Sequence, residues 1–248
     1  MVYQIILKEG IEAFLDFIYP RNIYCMVCGR GIEKKEAYAL CAACRNKISF
    51  VEDKACEKCG KPLSDFYFLE LCLDCIGHKH DFTKGFSCVA YDDEMKQLVH
   101  RLKYKKERYL AYHMAEMMTD KLRKQGIKEI DCIIPVPLYK RKQRQREFNQ
   151  AQILAMYIGK NMGWVVDCKN LIRIKDTVPQ NALSKEERRN NLKDAFRMVS
   201  QAAFMGKTIL LVDDVYTTGS TVDACSQELM KAKPKEIFVI SFATGRNM

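Results

Sequence analysis

No stretch of this sequence approaches the roughly 18 consecutive apolar residues that a membrane-spanning helix requires. The segment Met1 to Tyr19 breaks its apolar positions with Lys8, Glu9, Glu12 and Asp16, and reads as neither a signal peptide nor an anchor. The composition of a disordered chain is missing too. Of 248 residues, 48% are hydrophobic and 29% charged, which leaves room for one or two ordered domains. Twelve cysteines without an export signal point to a reducing compartment, where thiols stay free or bind metal. The expectation is a cytoplasmic protein with no membrane insertion.

Residues 1–90 lack any charge excess, with 12 Lys/Arg against 12 Asp/Glu; residues 91–248 hold 29 against 19 and carry the whole net charge of +10. Two windows concentrate it. Lys96 to Arg108 has six basic residues and one acid, and Lys140 to Arg146 has five basic residues and none. Such density points to a polyanionic partner, a phosphorylated metabolite or a nucleic acid, against the alternative of a solvated basic face.

Hydrophobic periodicity is scarce between Cys25 and Cys75, after a short amphipathic helix at Ile11 to Tyr19 that Pro20 stops. Such a segment needs another source of stability, and four Cys-x-x-Cys pairs offer one: Cys25/Cys28, Cys41/Cys44, Cys56/Cys59 and Cys72/Cys75. Twelve residues separate the first pair from the second and the third from the fourth, so the array repeats as two similar units. The spacing assigns one structural Zn²⁺ to Cys25, Cys28, Cys41 and Cys44, and a second to Cys56, Cys59, Cys72 and Cys75. A cross-braced pairing uses the same ligands, and iron–sulfur chemistry uses the same residue type. Gly29 and Gly60 follow the first pair of each unit, where a metal knuckle often needs positive φ. His78 and His80 lie close enough to Cys75 to substitute, but eight thiolates already complete two sites, and the histidines read as surface residues. Cys88, Cys132, Cys168 and Cys225 read as small buried hydrophobes.

After Asp81 the pattern alternates. Gly85 to Tyr91, Asp131 to Val136, Lys207 to Val212 and Glu236 to Phe242 read as strands; Met95 to Leu102, Tyr109 to Lys124, Phe148 to Ile158 and Gly219 to Ala232 read as helices. Continuous apolar strands separated by helices imply an α/β fold, a parallel sheet with helices on both faces. The expected division is a helix and double zinc-ribbon module over 1–80 and an α/β domain over 81–248.

The segment Ile209 to Thr221, ILLVDDVYTTGST, joins a buried strand, two acids, a loop of hydroxyl residues and glycine, and a helix start. Loop amides and a helix N-terminus hold phosphate, at the strand edge where α/β sheets bind ligands. These thirteen residues resemble the 5-phosphoribosyl-1-pyrophosphate (PRPP) motif of type I phosphoribosyltransferases. The resemblance implies that Asp213 and Asp214, the candidate catalytic acids, bind the ribose 2′ and 3′ hydroxyls, and that Thr217, Thr218, Gly219, Ser220 and Thr221 bind the 5′-phosphate. A second anion region for the pyrophosphate then falls on Lys140, Arg141, Arg144 or Arg146, in the turn after the Asp131 to Val136 strand, with Mg²⁺ as cofactor. Arg173 to Arg189 resembles a mobile lid, with a solvated loop as its alternative.

Ile134 to Leu138 (IPVPL), the basic run, Phe148-Asn149-Gln150, Leu102-Lys103-Tyr104, Arg173 to Asn190 and the cysteine-rich N-terminus resemble the ComF family, bacterial factors of DNA uptake and natural transformation. One departure is Glu147, where the family reads glycine. The resemblance implies PRPP as ligand and single-stranded DNA or other uptake proteins as further partners, with Tyr104, Tyr109, Tyr112, Tyr139 or Phe148 available for base stacking. It leaves two readings open. One is a competence factor that binds PRPP; the other is an active phosphoribosyltransferase that releases pyrophosphate to an unknown acceptor, with the zinc module as its hood.

Overall fold

The computed structural model describes residues 22–33, 35–177 and 185–245. The expected helix Ile11 to Tyr19 and Gln180 of the expected lid lie outside them. Contacts divide the chain into two compact units, one ending at Lys47 and the other beginning at Ile48.

The first unit is a single ribbon. Tyr24 bridges Gly31, the Cys25 N–H donates to the Arg30 carbonyl at 2.7 Å and the Gly29 N–H to the Cys25 carbonyl at 2.8 Å. Cys41 then opens the one-turn helix α1 (Ala42–Arg45). Thirty-one residues on, the same device recurs in the second unit. Ala55 bridges Pro62, Cys56 donates to Lys61 at 2.8 Å, Gly60 donates to Cys56 at 2.8 Å, and Cys72 opens α2 (Leu73–Ile76). Gly29 and Gly60 take φ of +72° and +71°, as the knuckles require.

The rest of the second unit runs β1 (Lys84–Ala90), α3 (Asp93–Tyr104), α4 (Leu110–Lys124), β2 (Cys132–Pro135), α5 (Lys140–Arg146), α6 (Gln150–Met162), β3 (Leu171–Arg173), α7 (Lys185–Leu192), β4 (Phe196–Met198), β5 (Thr208–Tyr216), α8 (Ser220–Met230) and β6 (Glu236–Thr244). Four strands form one parallel sheet in the order β1-β6-β5-β2. The expected α/β fold is present, with each strand and helix within a few residues of its sequence position. The basic run, expected as a turn, is the helix α5. The antiparallel pair β3–β4 was not anticipated, because three-residue strands leave too short a pattern to read.

The apolar runs of the strands are explained by two covered faces. Cys132, Ile134, Ile209, Leu211, Ile237 and Val239 share one buried cluster with Val222, Cys225 and Leu229 of α8. The alternate residues Ile133, Leu210, Val212, Ile240 and Phe242 are buried as well, on the side where α4 lies against β1 and β6, and α6 against β2 and β5.

The first cluster also takes in Cys56, Cys59, Cys72 and Cys75, so the second ribbon is part of the sheet's core. A Cβ on Gly60 would lie 2.6 Å from the Gly85 carbonyl oxygen, and one on Gly85 would lie 2.9 Å from that of Cys59. Only two glycines allow the knuckle to meet β1 backbone to backbone. Structural zinc contributes on the order of 10 kcal/mol, comparable to the whole stability of a domain, about 5–15 kcal/mol. Replacing Cys72 with Ser is therefore expected to abolish the cooperative unfolding transition of the sheet, read by fluorescence of the single tryptophan, Trp164. Cys28→Ser, at an exposed ligand of the first ribbon, is expected to leave that transition in place.

Candidate functional site

All four Sγ atoms of Cys25, Cys28, Cys41 and Cys44 lie within 4.8 Å of one another, and so do those of Cys56, Cys59, Cys72 and Cys75. The pairing is sequential, not cross-braced. Cys28 to Cys41 is 3.8 Å and Cys59 to Cys72 is 3.7 Å. A tetrahedron with zinc–sulfur bonds of 2.3 Å has edges of about 3.8 Å, so each set fits a single ion, and neither leaves room for a multi-iron cluster. Both are zinc-binding sites.

The phosphate-type loop lies at the carboxyl end of β5. Gly219 is in the left-handed region at φ +81°, and a Cβ there would lie 2.4 Å from the Tyr216 hydroxyl, so the turn into α8 needs glycine. Thr218 and Ser220 are buried, and their hydroxyls lie 2.9 Å apart. Asp213, Thr217, Gly219, Ser220 and Thr221 line a small cavity of about 40 Å³ at the loop. Beside it lies a larger one of about 370 Å³, also lined by Asp213, Asp214, Thr217 and Thr221.

The larger cavity is strongly cationic. Lys96, Lys103, Lys142, Arg146, Arg173 and Arg188 line it. Lys103 of α3, which the sequence reading quoted but gave no role, pairs with Asp214 at 2.8 Å. Burial pulls its ammonium down, but the Asp214 and Asp213 carboxylates outweigh that and hold it above the usual lysine value. Burial, and then Arg173 nearby, depresses Lys142; burial likewise depresses Arg173. These cations crowd one another in a partly dry site, which an entering anion relieves.

The expected pyrophosphate residues separate. Arg146 lines the cavity, with Nη2 donating to the Tyr104 hydroxyl at 2.9 Å and Nη1 to Gln150 Oε1 at 3.1 Å. Arg141 pairs with Asp176 at 2.7 Å and is largely exposed; Arg144 is exposed; Lys140 lines a neighbouring cavity of about 480 Å³ instead. Asn149 caps α6, accepting from the Ala151 N–H at 3.1 Å while its amide donates to the Val136 carbonyl at 2.9 Å, which ties the β2 exit to that helix. Three other readings are corrected. His80 is only 3% exposed, because its ring stacks on Phe82, and Cys168 is exposed because it follows the edge of the sheet. Phe148 is buried under the Arg108 guanidinium and offers no face for a base.

Comparison with known proteins now bears on the whole chain. A family model described as a double zinc ribbon domain matches residues 14–76. "Competence protein F" of Haemophilus influenzae is 32% identical over 228 residues, 90% of this chain and 97% of its own. The chain belongs to the competence protein F (ComF) family. Other relatives are "DNA utilization protein YhgH" of Salmonella typhimurium, 29% identical over 84% of each chain, and "Competence protein ComFC" of Bacillus subtilis, 26% identical over 84% of each. Among solved structures, a purine phosphoribosyltransferase from Pyrococcus horikoshii aligns at 16% identity and a TM-score of 0.35, covering 55% of this chain and 74% of its own. Among the described residues of this ComF chain, no helix is long and apolar enough to cross a membrane.

The family's glycine before Phe148 has a conformational reason. Glu147 ends α5 at φ +67°, in the left-handed region that suits glycine. It is held there by ion pairing with Lys106 and, at 3.8 Å, Arg108. Glu147→Gly is expected to raise the melting temperature by about 2 °C, with the gain growing in high salt, where the surface pairs contribute least.

Burial, and then the neighbouring Asp214, pushes the Asp213 carboxyl up to about 7 from an ordinary 3.8. Between those values the folded state holds a proton that the unfolded chain has released, so stability falls as pH rises from about 4 through 7. Asp213→Asn is therefore expected to stabilise the ligand-free protein most at pH 8 and progressively less as the pH falls toward 4, as measured by thermal unfolding across that range.

Proposed function

We propose that this ComF-family protein binds PRPP with Mg²⁺ in the cavity at the end of β5 and acts in DNA uptake. One observation carries the reading: an adjacent acid pair and a glycine-turned hydroxyl loop share one cavity with six cationic side chains. An acid pair attracts a divalent cation and sugar hydroxyls, whereas the loop and the cations attract anions. A ligand satisfying both is a phosphorylated, pyrophosphorylated sugar with its metal.

In this reading the loop Thr217 to Thr221 and the α8 N-terminus hold the 5′-phosphate. Asp213 and Asp214 accept from the ribose hydroxyls, while Lys142, Arg146, Arg173 and Arg188 face the pyrophosphate. Mg²⁺ supplies charge compensation between pyrophosphate and acids. Lys103 compensates Asp214 until the ligand arrives. The DNA role comes from the family and from α3 and its exit, where Tyr104 and Tyr109 are 57% and 55% exposed among Lys105, Lys106 and Arg108. Stacking faces beside cations suit single-stranded DNA.

A second reading, an active phosphoribosyltransferase, draws on the 480 Å³ cavity, which shares Leu138, Asn149 and Arg173 with the first. Its walls, Pro135, Pro137, Leu171, Ile172 and Ile174 among them, suit an apolar or planar acceptor. Among the described residues, no side chain of the second ribbon lines either cavity.

The test is a PRPP titration followed by thermal unfolding, with and without Mg²⁺. At 100 times its dissociation constant a ligand adds about 2.7 kcal/mol of apparent stability. The expected result is Mg²⁺-dependent stabilisation that Asp213→Asn/Asp214→Asn loses. No shift in zinc-loaded, folded protein sinks the PRPP reading. Pyrophosphate release on adding candidate acceptors decides between binder and enzyme.

A further inference from the structure

Outside both cavities, the first turn of α8 carries a buried carboxylate. The oxygens of Asp223 lie 2.9 and 2.8 Å from His80 Nδ1, and Oδ2 lies 3.3 Å from His78 Nε2. Asp223 is 4% and His80 3% exposed, while the His78 side chain keeps 25% of its surface open. A buried carboxylate needs a compensating charge, and here that is a proton on a histidine or a metal ion.

Two observations favour the metal. Two imidazole nitrogens and one carboxylate are the donor set of three-ligand zinc sites, and the three ligand atoms lie within 4.8 Å of one another. The 3.3 Å between His78 and Asp223 is long for a charge-assisted hydrogen bond. It matches the edge of about 3.3 Å of a tetrahedron with metal–ligand bonds of 2.0–2.1 Å, and the 2.8 Å between His80 Nδ1 and Asp223 Oδ2 has to open by about 0.5 Å for the same geometry.

We propose that His78, His80 and Asp223 form a third metal site, distinct from the eight thiolates. It takes a divalent first-row metal of the zinc class, with water in the fourth position on the open side of His78. Ligands on the ribbon's exit and on α8 then clamp the two together behind the phosphate-type loop. The Asp223 N–H already donates to the Gly219 carbonyl at 2.8 Å, and the His80 ring lies 3.1 Å from where a Cβ on Gly219 would stand. The metal also cancels a negative charge in the first turn of the helix that faces the loop.

Metal per chain decides this. The full-length protein is loaded with excess Zn²⁺ under reducing conditions, dialysed, and analysed by mass spectrometry for zinc and by amino-acid analysis for protein. The expected result is three zinc ions per chain in the wild type and two in both His78→Ala and Asp223→Asn. Should Asp223→Asn fail to fold, the partly exposed His78 position still gives the answer. Cobalt substitution adds a spectroscopic arm: thiolate charge-transfer bands equal in all variants, with a further weak d–d band in the wild type alone. Two zinc ions in the wild type, or a third that persists in His78→Ala as an adventitious ion only, overturns the site. The count does not depend on what the loop binds, so its failure is distinguishable from failure of the PRPP titration.

Discussion

The second four-thiolate site is the constraint on which the larger unit depends. Its ribbon exposes Phe66, Phe68, Leu69, Leu73 and Ile76 to solvent, so side-chain packing does not hold its outer loop. The four cysteines are buried, and they sit in the same cluster as the sheet and α8. Coordination therefore does for this region what a core does elsewhere, and the contact of Gly60 with Gly85 locks the result against β1. The first ribbon, in its own unit, repeats the geometry with Cys28 exposed and Cys41 half-buried.

With the sheet held, β5 delivers Asp213 and Asp214 to its carboxyl end, and electrostatics dictates the rest of the site. Burial, and then the adjacent Asp214 carboxylate, raises the cost of ionising Asp213. Lys103 offsets one of the two acids, and five further cations, Lys96, Lys142, Arg146, Arg173 and Arg188, face the same space. Six cationic side chains face two carboxylates there, and Lys103 pairs with Asp214 at 2.8 Å. The cavity is in this sense incomplete. It is best matched by a ligand that brings anionic groups and a divalent ion together.

Much of this was legible in the sequence because the strongest signals are local. ILLVDD, the Cys-x-x-Cys spacing and the Met95, Leu98, Val99, Leu102 stripe each belong to one element, and each element formed where its pattern lay. What sequence could not show depended on partners far along the chain. Lys103 meets Asp214 across more than a hundred residues, and His80 meets Asp223 across 143. Nothing in the local context of either residue marks such a contact. The β3–β4 pair escaped for a different reason, since Leu171–Arg173 and Phe196–Met198 are too short to show an alternation.

The basic run shows how a local conformation changes a functional argument. Read as a turn, Lys140 to Arg146 presents five interchangeable cations. As the helix α5 it divides them: Lys142 and Arg146, four residues apart on one face, line the ligand cavity, while Arg141 and Arg144 are exposed to solvent. If the cavity holds a phosphorylated ligand, as proposed, Lys142 and Arg146 are the two cations of this helix that reach it, whereas Arg141 is paired with Asp176 and Arg144 faces solvent. Which cation meets the ligand is thus decided by the turn of the helix and not by the number of charges in the run.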